Sequence, residues 1–362
     1  MRGRHRFAIP FLRYLDYEGK PDTPLPAWTE QSELLQSIYE NMVLARTLDQ
    51  KAIALQRTGQ LGTYPSTLGQ EAIGVCIGLA MSTNDVLVPY YRDAPAQMIR
   101  GMRLEEILLY WGGDERGGNF NSARQDLPPC VPIATQLSQA TGIATAMKIK
   151  KENRVTVATC GDGATSKGDF MEALNVAGVW NLPIVFVINN NQWAISAPLK
   201  EQTATTTLAQ KAIAAGIDGI EVDGNDPIAV YEAVSSAIEQ ARKDSRPTLV
   251  EALSYRLSDH TTADDASRYR DQEEVRNQWK QEPVARFRSF LHGQNLWDAD
   301  QEQALQQRCQ AKVETAVDKY LNISVEPPEA MIDYLYEFLP AALESQREAI
   351  ISKAKSLSEV LE

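Results

Sequence analysis

Two short stretches carry the residue types best suited to chemistry. Gly161-Asp162-Gly163 and Asn190-Asn191 follow two β-rich runs, Arg154–Thr159 and Pro183–Ile188, and 26 residues separate them. In an open α/β sheet ligands bind at the carboxyl ends of the strands, so this spacing puts an acid and a carboxamide at two such ends. Asp162 offers a hard carboxylate oxygen and Asn191 a neutral carbonyl oxygen, which together suit a magnesium ion that also holds a diphosphate. Gly161 and Gly163 are expected to clear side chains from the path of phosphate oxygens, and Ala164 with Thr165 to open a helix whose first amides favour an anion. Two other readings are weaker. Asp-Gly is a hairpin signal, but the following Asp169–Leu174 has a helical pattern. A dinucleotide fingerprint needs a third glycine where this chain has Ser166.

The elements that must position these residues can be read from periodicity. Apolar residues at helical spacing mark a helix over Ser32–Arg57, with Gly59 as its stop, and a second over Gln70–Met81. A Gly-rich loop, Thr58–Gly69, joins them. A short strand is expected at Asp85–Pro89, helices near 93–111, a loop up to Pro132, and a helix over Thr135–Lys150. Then come the run 154–159, a helix from Asp169 to Trp180, the run 183–188, a strand at Gly219–Val222, a helix over Pro227–Lys243 and a strand at Pro247–Leu253. Near-continuous apolar strands alternating with helices predict an α/β fold, a doubly wound, mostly parallel sheet with helices on both faces. The chain from Gln272 reads as mostly helical. Residues 1–30, with Pro10, Pro21, Pro24 and Pro26, read as an extended arm lying on the body or on a partner; 31–325 as the α/β domain; and 326–362 as a C-terminal helical segment.

Composition removes whole classes of function. The 362 residues carry 36 Lys and Arg against 48 Asp and Glu, a net charge of −12, so no basic face is expected for nucleic acid. The longest charge-free stretch, Leu182–Leu199, contains Asn189, Asn190, Asn191 and Gln192 and is too polar to span a bilayer. Four cysteines without a CxxC spacing fit neither a disulfide scaffold nor a zinc site, and a cytoplasmic setting is expected.

With these residues in place, the sequence resembles the E1 α subunits of thiamine-diphosphate-dependent 2-oxo acid dehydrogenase complexes. The passages that carry the resemblance are Gly161–Phe170, Asn190–Ser196, Tyr91-Arg92-Asp93, Leu68-Gly-Gln-Glu-Ala72 and Tyr255–Asp265, and the similarity runs from about residue 35 to 340. It implies the thiamine-diphosphate-binding fold, with this chain as the diphosphate-binding domain. It further implies that Asp162, the Asn191 side chain and the Trp193 backbone carbonyl ligate magnesium. Tyr91 and Arg92 would contact the diphosphate, with Gly161, Gly163 and Ala164 beside it, and Ile133 would lie near the cofactor's bent midpoint. His260, one of three histidines with His5 and His292, falls with Arg256 in a polar loop matching the family's active-site loop. There it would contact the cofactor and pass protons near neutral pH.

The activity implied is oxidative decarboxylation of a 2-oxo acid, with the acyl group passed to a lipoyl-bearing E2 acyltransferase. The pyrimidine-binding domain would come from a β subunit in an α2β2 heterotetramer. The stretches Arg57–Tyr64 and Leu208–Gly216 resemble pyruvate-specific bacterial members, whereas the length of the loop His260–Arg270 resembles branched-chain ones. Pyruvate is the expected substrate, with 2-oxoisovalerate or acetoin as alternatives, and a noncatalytic diphosphate-binding subunit as a reading of another class. Two positions depart from the family pattern. A potassium site would use Pro132, Thr135 and Gln136, but Cys130 stands where a serine is expected, and the loop 112–125 lacks the histidine found near the cofactor in relatives. Leu257–Asp271 has few apolar residues and is expected to order only around the cofactor, exposing Arg268 and Arg270 to trypsin until then.

Overall fold

The computed structural model describes residues 7–119 and 122–361, with side chains through residue 356. The first six residues of the expected arm, His5 among them, and Phe120 and Asn121 of the loop 112–125 lie outside the described residues. Six strands form one sheet: β1 (Phe11–Leu12), β2 (Val86–Val88), β3 (Thr156–Gly161), β4 (Ile184–Asn190), β7 (Asp218–Asp223) and β8 (Thr248–Leu253). Their order is β1-β7-β8-β4-β3-β2 and every pairing is parallel. Between β4 and β7 a small antiparallel hairpin, β5 (Trp193–Ala194) with β6 (Ala197–Pro198), stands apart from the sheet.

Period-2 alternation sorts the strand residues between two cores. Ile184, Phe186 and Ile188 of β4 join Ala158 and Cys160 of β3 in one cluster, where they meet Leu137, Ala140, Leu174 and Ala177. Those four belong to helices α5 (Thr135–Lys150) and α6 (Gly168–Trp180). Val185, Val187, Val157 and Val250 enter the other cluster, with residues of α1 (Ser32–Arg57), α2 (Glu71–Ala80) and α9 (Pro227–Asp244). Both faces of the sheet are therefore covered, as the apolar strand runs require. At about 1.5–3 kcal/mol per large apolar side chain, this two-sided burial is the main force holding the strand ends in register.

Three features differ from the periodicity reading. First, β3 and β4 run two residues beyond their apolar stretches, to Gly161 and Asn190. The ladder continues because the polar side chains there satisfy one another: Asn189 donates to the Tyr90 hydroxyl at 2.9 Å and accepts from Ser254 Oγ at 2.9 Å, and Asn190 donates to Glu251 at 2.6 Å. Second, residues 162–166 form a separate 3-10 turn, so Ala164 and Thr165 do not open a helix; α6 begins at Gly168. The Thr165 carbonyl and hydroxyl instead accept from Lys211 Nζ at 2.7 and 2.8 Å, and Ala164 packs into the core. Third, the described part of the arm supplies an edge strand, with Phe11 opposite Glu221 and Leu12 opposite Val222. Asp226 anchors it: one carboxylate oxygen accepts from the amides of Tyr14 and Leu15, while the other caps the start of α9.

The chain divides into two units, Met1–Tyr320 and Leu321–Glu362. The second contains the helices Ala330–Asp333 and Ala341–Leu361, tied to each other by Arg347 donating to Asp333. Among the described residues no helix is long and apolar enough to cross a membrane, and the four cysteines are free thiols.

Candidate functional site

The site lies at the carboxyl ends of four consecutive strands, β2, β3, β4 and β8, each of which delivers residues singled out above. The segment after β2 places Tyr91 and Arg92; the end of β3 places Gly161 and Asp162; the end of β4 leads to Asn191; and Arg256 and His260 follow β8. Tyr90 locks the first of these by donating its amide to Thr159 Oγ1 of β3 at 3.0 Å. Thr159 also bonds Asp93, whose carboxyl burial pushes up to about 7.

Two buried guanidiniums converge here. Arg92 donates to the carbonyls of Ser66 at 2.6 Å and His260 at 3.1 Å, and lies 5.4 Å from the Tyr91 ring centroid. Arg256, fully buried, donates to the Trp193 carbonyl at 3.3 Å, the Ile195 carbonyl at 2.8 Å and the Tyr269 hydroxyl at 2.8 Å. It thereby ties the β5–β6 hairpin to the loop after β8. Burial lowers its pKa to about 10, still charged at neutral pH. Nη2 of Arg92 and Nη1 of Arg256 both lie close to His260 Nδ1, at 3.3 and 3.4 Å. Facing two donors, that nitrogen can only accept, so the imidazole is neutral with its proton on Nε2.

The same surroundings hold the imidazole neutral in the cofactor-free chain. Burial first, then Arg92 and Arg256, lower the His260 pKa from 6.5 to about 4. The unfolded chain takes up a proton at this residue below pH 6.5 that the folded chain refuses until about pH 4. Stability from this source is therefore complete above pH 6.5 and lost as the pH falls toward 4. We expect the thermal midpoint of the cofactor-free protein to decline less over that window in His260→Asn than in the wild type. Parallel declines would mean that His260 is not held neutral.

Asp162 is 1% exposed, and burial raises its carboxyl pKa. It accepts from Gln202 Nε2 at 2.7 Å. Asn191 Oδ1 accepts from the Trp193 amide at 3.2 Å, and its Nδ2 donates to Gln70 at 2.9 Å. The Trp193 carbonyl is engaged by Arg256 yet keeps a second lone pair. Among the described residues no group of three His, Cys, Asp or Glu could hold a metal. The donor set available here is instead one carboxylate, one carboxamide and one carbonyl, all hard oxygens suited to magnesium.

The fold gives Gly163 a packing reason of its own. A Cβ on Gly163 would come 2.7 Å from Ala194 Cβ, so the close packing of the hairpin demands this glycine. At Gly161 a Cβ would meet only the Tyr90 ring, at an ordinary 3.8 Å. Ile133, on the loop before α5, is 44% exposed, and its loop is held by the Cys130 amide donating to the Pro89 carbonyl. Of the expected potassium ligands, the Pro132 carbonyl already accepts from the Cys130 thiol and the Thr135 amide, and Gln136 Nε2 donates to the Thr159 carbonyl.

The loop 257–271 is tied down at its ends by Leu257 and Tyr269, which pack with Trp193 and Tyr255, and along its length by polar side chains. Asp259 accepts from the Ala266 amide and Asp264 from the His260 amide, both at 2.9 Å, and Tyr64 and Thr262 exchange two 3.0 Å bonds. Arg270 is buried over the Tyr255 ring, which leaves Arg268 as the exposed trypsin site of the two.

Fit to a magnesium diphosphate rests on groups left without partners. Arg92 Nε and Arg256 Nε are buried donors with no acceptor, and Gln70 Nε2 and Gln202 Oε1 are likewise unmatched. Two cationic donors beside a buried acid accommodate an anion and a divalent cation together. Gln70 and Gln202 had not been singled out. Gln70 lies inside the Leu68–Ala72 passage, a signal present in the sequence; Gln202 is brought to Asp162 only by the hairpin fold.

A family model described as Dehydrogenase E1 component matches residues 39–328. The Staphylococcus aureus protein named pyruvate dehydrogenase E1 component subunit alpha is 40% identical over 317 residues, 87% of this chain and 86% of that protein. Its namesake from Staphylococcus epidermidis is 39% identical over the same length and shares.

Proposed function

The chain belongs to the dehydrogenase E1 component family, and from that premise we propose that it is the alpha subunit of a pyruvate dehydrogenase E1 component. The observation that carries the reading is the convergence of Arg92, Arg256 and neutral His260 on the strand ends that bear Asp162 and Asn191. Thiamine diphosphate, when bound, supplies the nucleophilic carbon and the electron sink for decarboxylating a 2-oxo acid.

This chain's own residues hold and orient that group. Asp162, Asn191 and the Trp193 carbonyl take magnesium. Tyr91 and Arg92 bind the diphosphate, Arg92 through its unmatched Nε, and His260 donates to the cofactor from Nε2. Gly161, Gly163 and Ala164 would lie beside the diphosphate. Arg256 positions the Trp193 and Ile195 carbonyls. Ile133, Val131 and Ile195 present apolar surface beside the site, being 44, 51 and 56% exposed. That surface supports cover by a β subunit, which would supply the pyrimidine-binding half, and the acyl group would pass to a lipoyl-bearing acyltransferase. Free thiols throughout support a cytoplasmic setting.

Substrate choice is tested by kcat/KM of the reconstituted α–β complex for pyruvate and for 2-oxoisovalerate. One or two methylenes in an apolar pocket are worth about 10–200-fold each. We expect a preference of at least that order for pyruvate; preference for the branched acid would contradict the assignment.

A further inference from the structure

Each side chain assigned to the metal is gripped by a glutamine that the mechanism above does not use. Gln202, which ends the short helix α7 (Leu199–Gln202), donates from Nε2 to Asp162 Oδ2 at 2.7 Å and to the Ala197 carbonyl at 3.1 Å, while its Oε1 is buried without a partner. Gln70, just before α2, is 2% exposed; its Oε1 accepts from Asn191 Nδ2 at 2.9 Å and its Nε2 is buried without a partner.

The direction of each amide follows from what it meets. A carboxylate only accepts, so Gln202 must turn its NH2 toward Asp162. The Trp193 amide donates to Asn191 Oδ1 at 3.2 Å, which turns Asn191 Nδ2 toward Gln70 and makes the facing atom of Gln70 its oxygen. What remains is a free acceptor beside the acid and a free donor beside the carboxamide. Buried amide ends are seldom left unmet.

We propose that these two glutamines complete the metal–diphosphate site, with Gln202 Oε1 accepting from a water on the magnesium and Gln70 Nε2 donating to a diphosphate oxygen. Magnesium keeps several of its waters, which have protons to give, and a diphosphate oxygen only accepts. The leftover ends match those partners in this arrangement and not in the reverse one. Gln202 is a positioning residue, because it also fixes the Asp162 carboxylate; partners of this kind are worth about 10–100-fold in metal affinity. The inference rests on the site reading given under the proposed function.

The test is calorimetry on the reconstituted α–β complex, titrating magnesium at fixed thiamine diphosphate and then thiamine diphosphate at saturating magnesium. Gln202→Met keeps the length and removes the amide. It is expected to raise half-saturating magnesium by about 10–100-fold and to leave cofactor affinity at saturating magnesium unchanged. Gln70→Glu keeps an acceptor for Asn191 but turns a carboxylate oxygen toward the diphosphate, so it is expected to weaken cofactor binding even at saturating magnesium. Gln202→Asn serves the same purpose should Gln202→Met fail to assemble. Wild-type values in both titrations for both glutamine variants would overturn the inference. Asp162→Ala is run alongside: if it too binds as wild type, the site reading itself fails, and if it alone loses binding, only the role of the glutamines fails.

Discussion

Asp162→Ala in the reconstituted α–β complex is expected to weaken magnesium-dependent thiamine diphosphate binding by more than about 100-fold, since even the partners of metal ligands are worth about 10–100-fold. The same change should alter the stability of the cofactor-free protein little. Burial raises the Asp162 pKa, so its carboxylate is held at a cost in the absence of a cation; removing it relieves that cost but also takes from Gln202 Nε2 one of its two acceptors, the Ala197 carbonyl being kept. With the two effects opposed, thermal unfolding without cofactor should show a midpoint close to the wild-type value. Asn191→Ala should lose binding similarly but behave differently in unfolding. It strips the Trp193 amide of its acceptor and Gln70 Oε1 of its donor, a loss of about 1–3 kcal/mol. A similar loss of binding from two variants that differ in stability does not come from misfolding. Wild-type cofactor affinity in both variants would remove the metal assignment.

Arg92→Met is expected to have the next largest effect. The residue is 3% exposed, and truncating one partner of a buried charge-assisted contact costs about 2–5 kcal/mol, roughly 30- to 4000-fold in Kd. Arg92 also donates to Ser66 and His260, so a structural contribution must be separated from the charge. Two comparisons do this. Arg92→Lys keeps the charge but loses the planar fork, and should recover part of the affinity. Thiamine without its phosphates should bind wild type and Arg92→Met alike, because the group Arg92 serves is missing from it. Equal losses for thiamine and thiamine diphosphate would place Arg92 in the scaffold alone.

The doubly wound core was legible because both faces of β3, β4 and β8 are buried, which writes near-continuous apolar runs into the sequence. Helix α1 is read to its end residues, Ser32 and Arg57, from apolar spacing alone. The polar ends of β3 and β4 were not legible. Their ladder is carried by the bonds of Asn189 to Tyr90 and Ser254 and of Asn190 to Glu251, partners 61 to 99 positions apart, and no local pattern records such pairings. β1 escaped notice because two residues have no period. Ala164 and Thr165 do not open a helix, because Lys211 takes the Thr165 carbonyl that a helix would have used, while α6 itself starts within one residue of the Asp169 that periodicity indicates.

At the site, residue identities were legible and their states were not. Asp162 and Asn191 stand at adjacent strand ends, as the spacing of Gly161–Gly163 and Asn190-Asn191 requires. The neutrality of His260 depends first on its own burial, then on the charges of Arg92, 168 positions away, and of Arg256. Gln202 reaches Asp162 across 40 positions through a hairpin that composition does not announce.

The proposed function makes this chain one half of a decarboxylase, its cofactor to be held here and completed by a partner. The most direct measurement is carbon dioxide release from pyruvate by the purified chain, alone and mixed with a cognate β subunit, with thiamine diphosphate and magnesium present in both. No turnover is expected from the chain alone, and decarboxylation is expected on mixing. Substantial turnover by the chain alone, or none from a correctly assembled α–β complex, would contradict it.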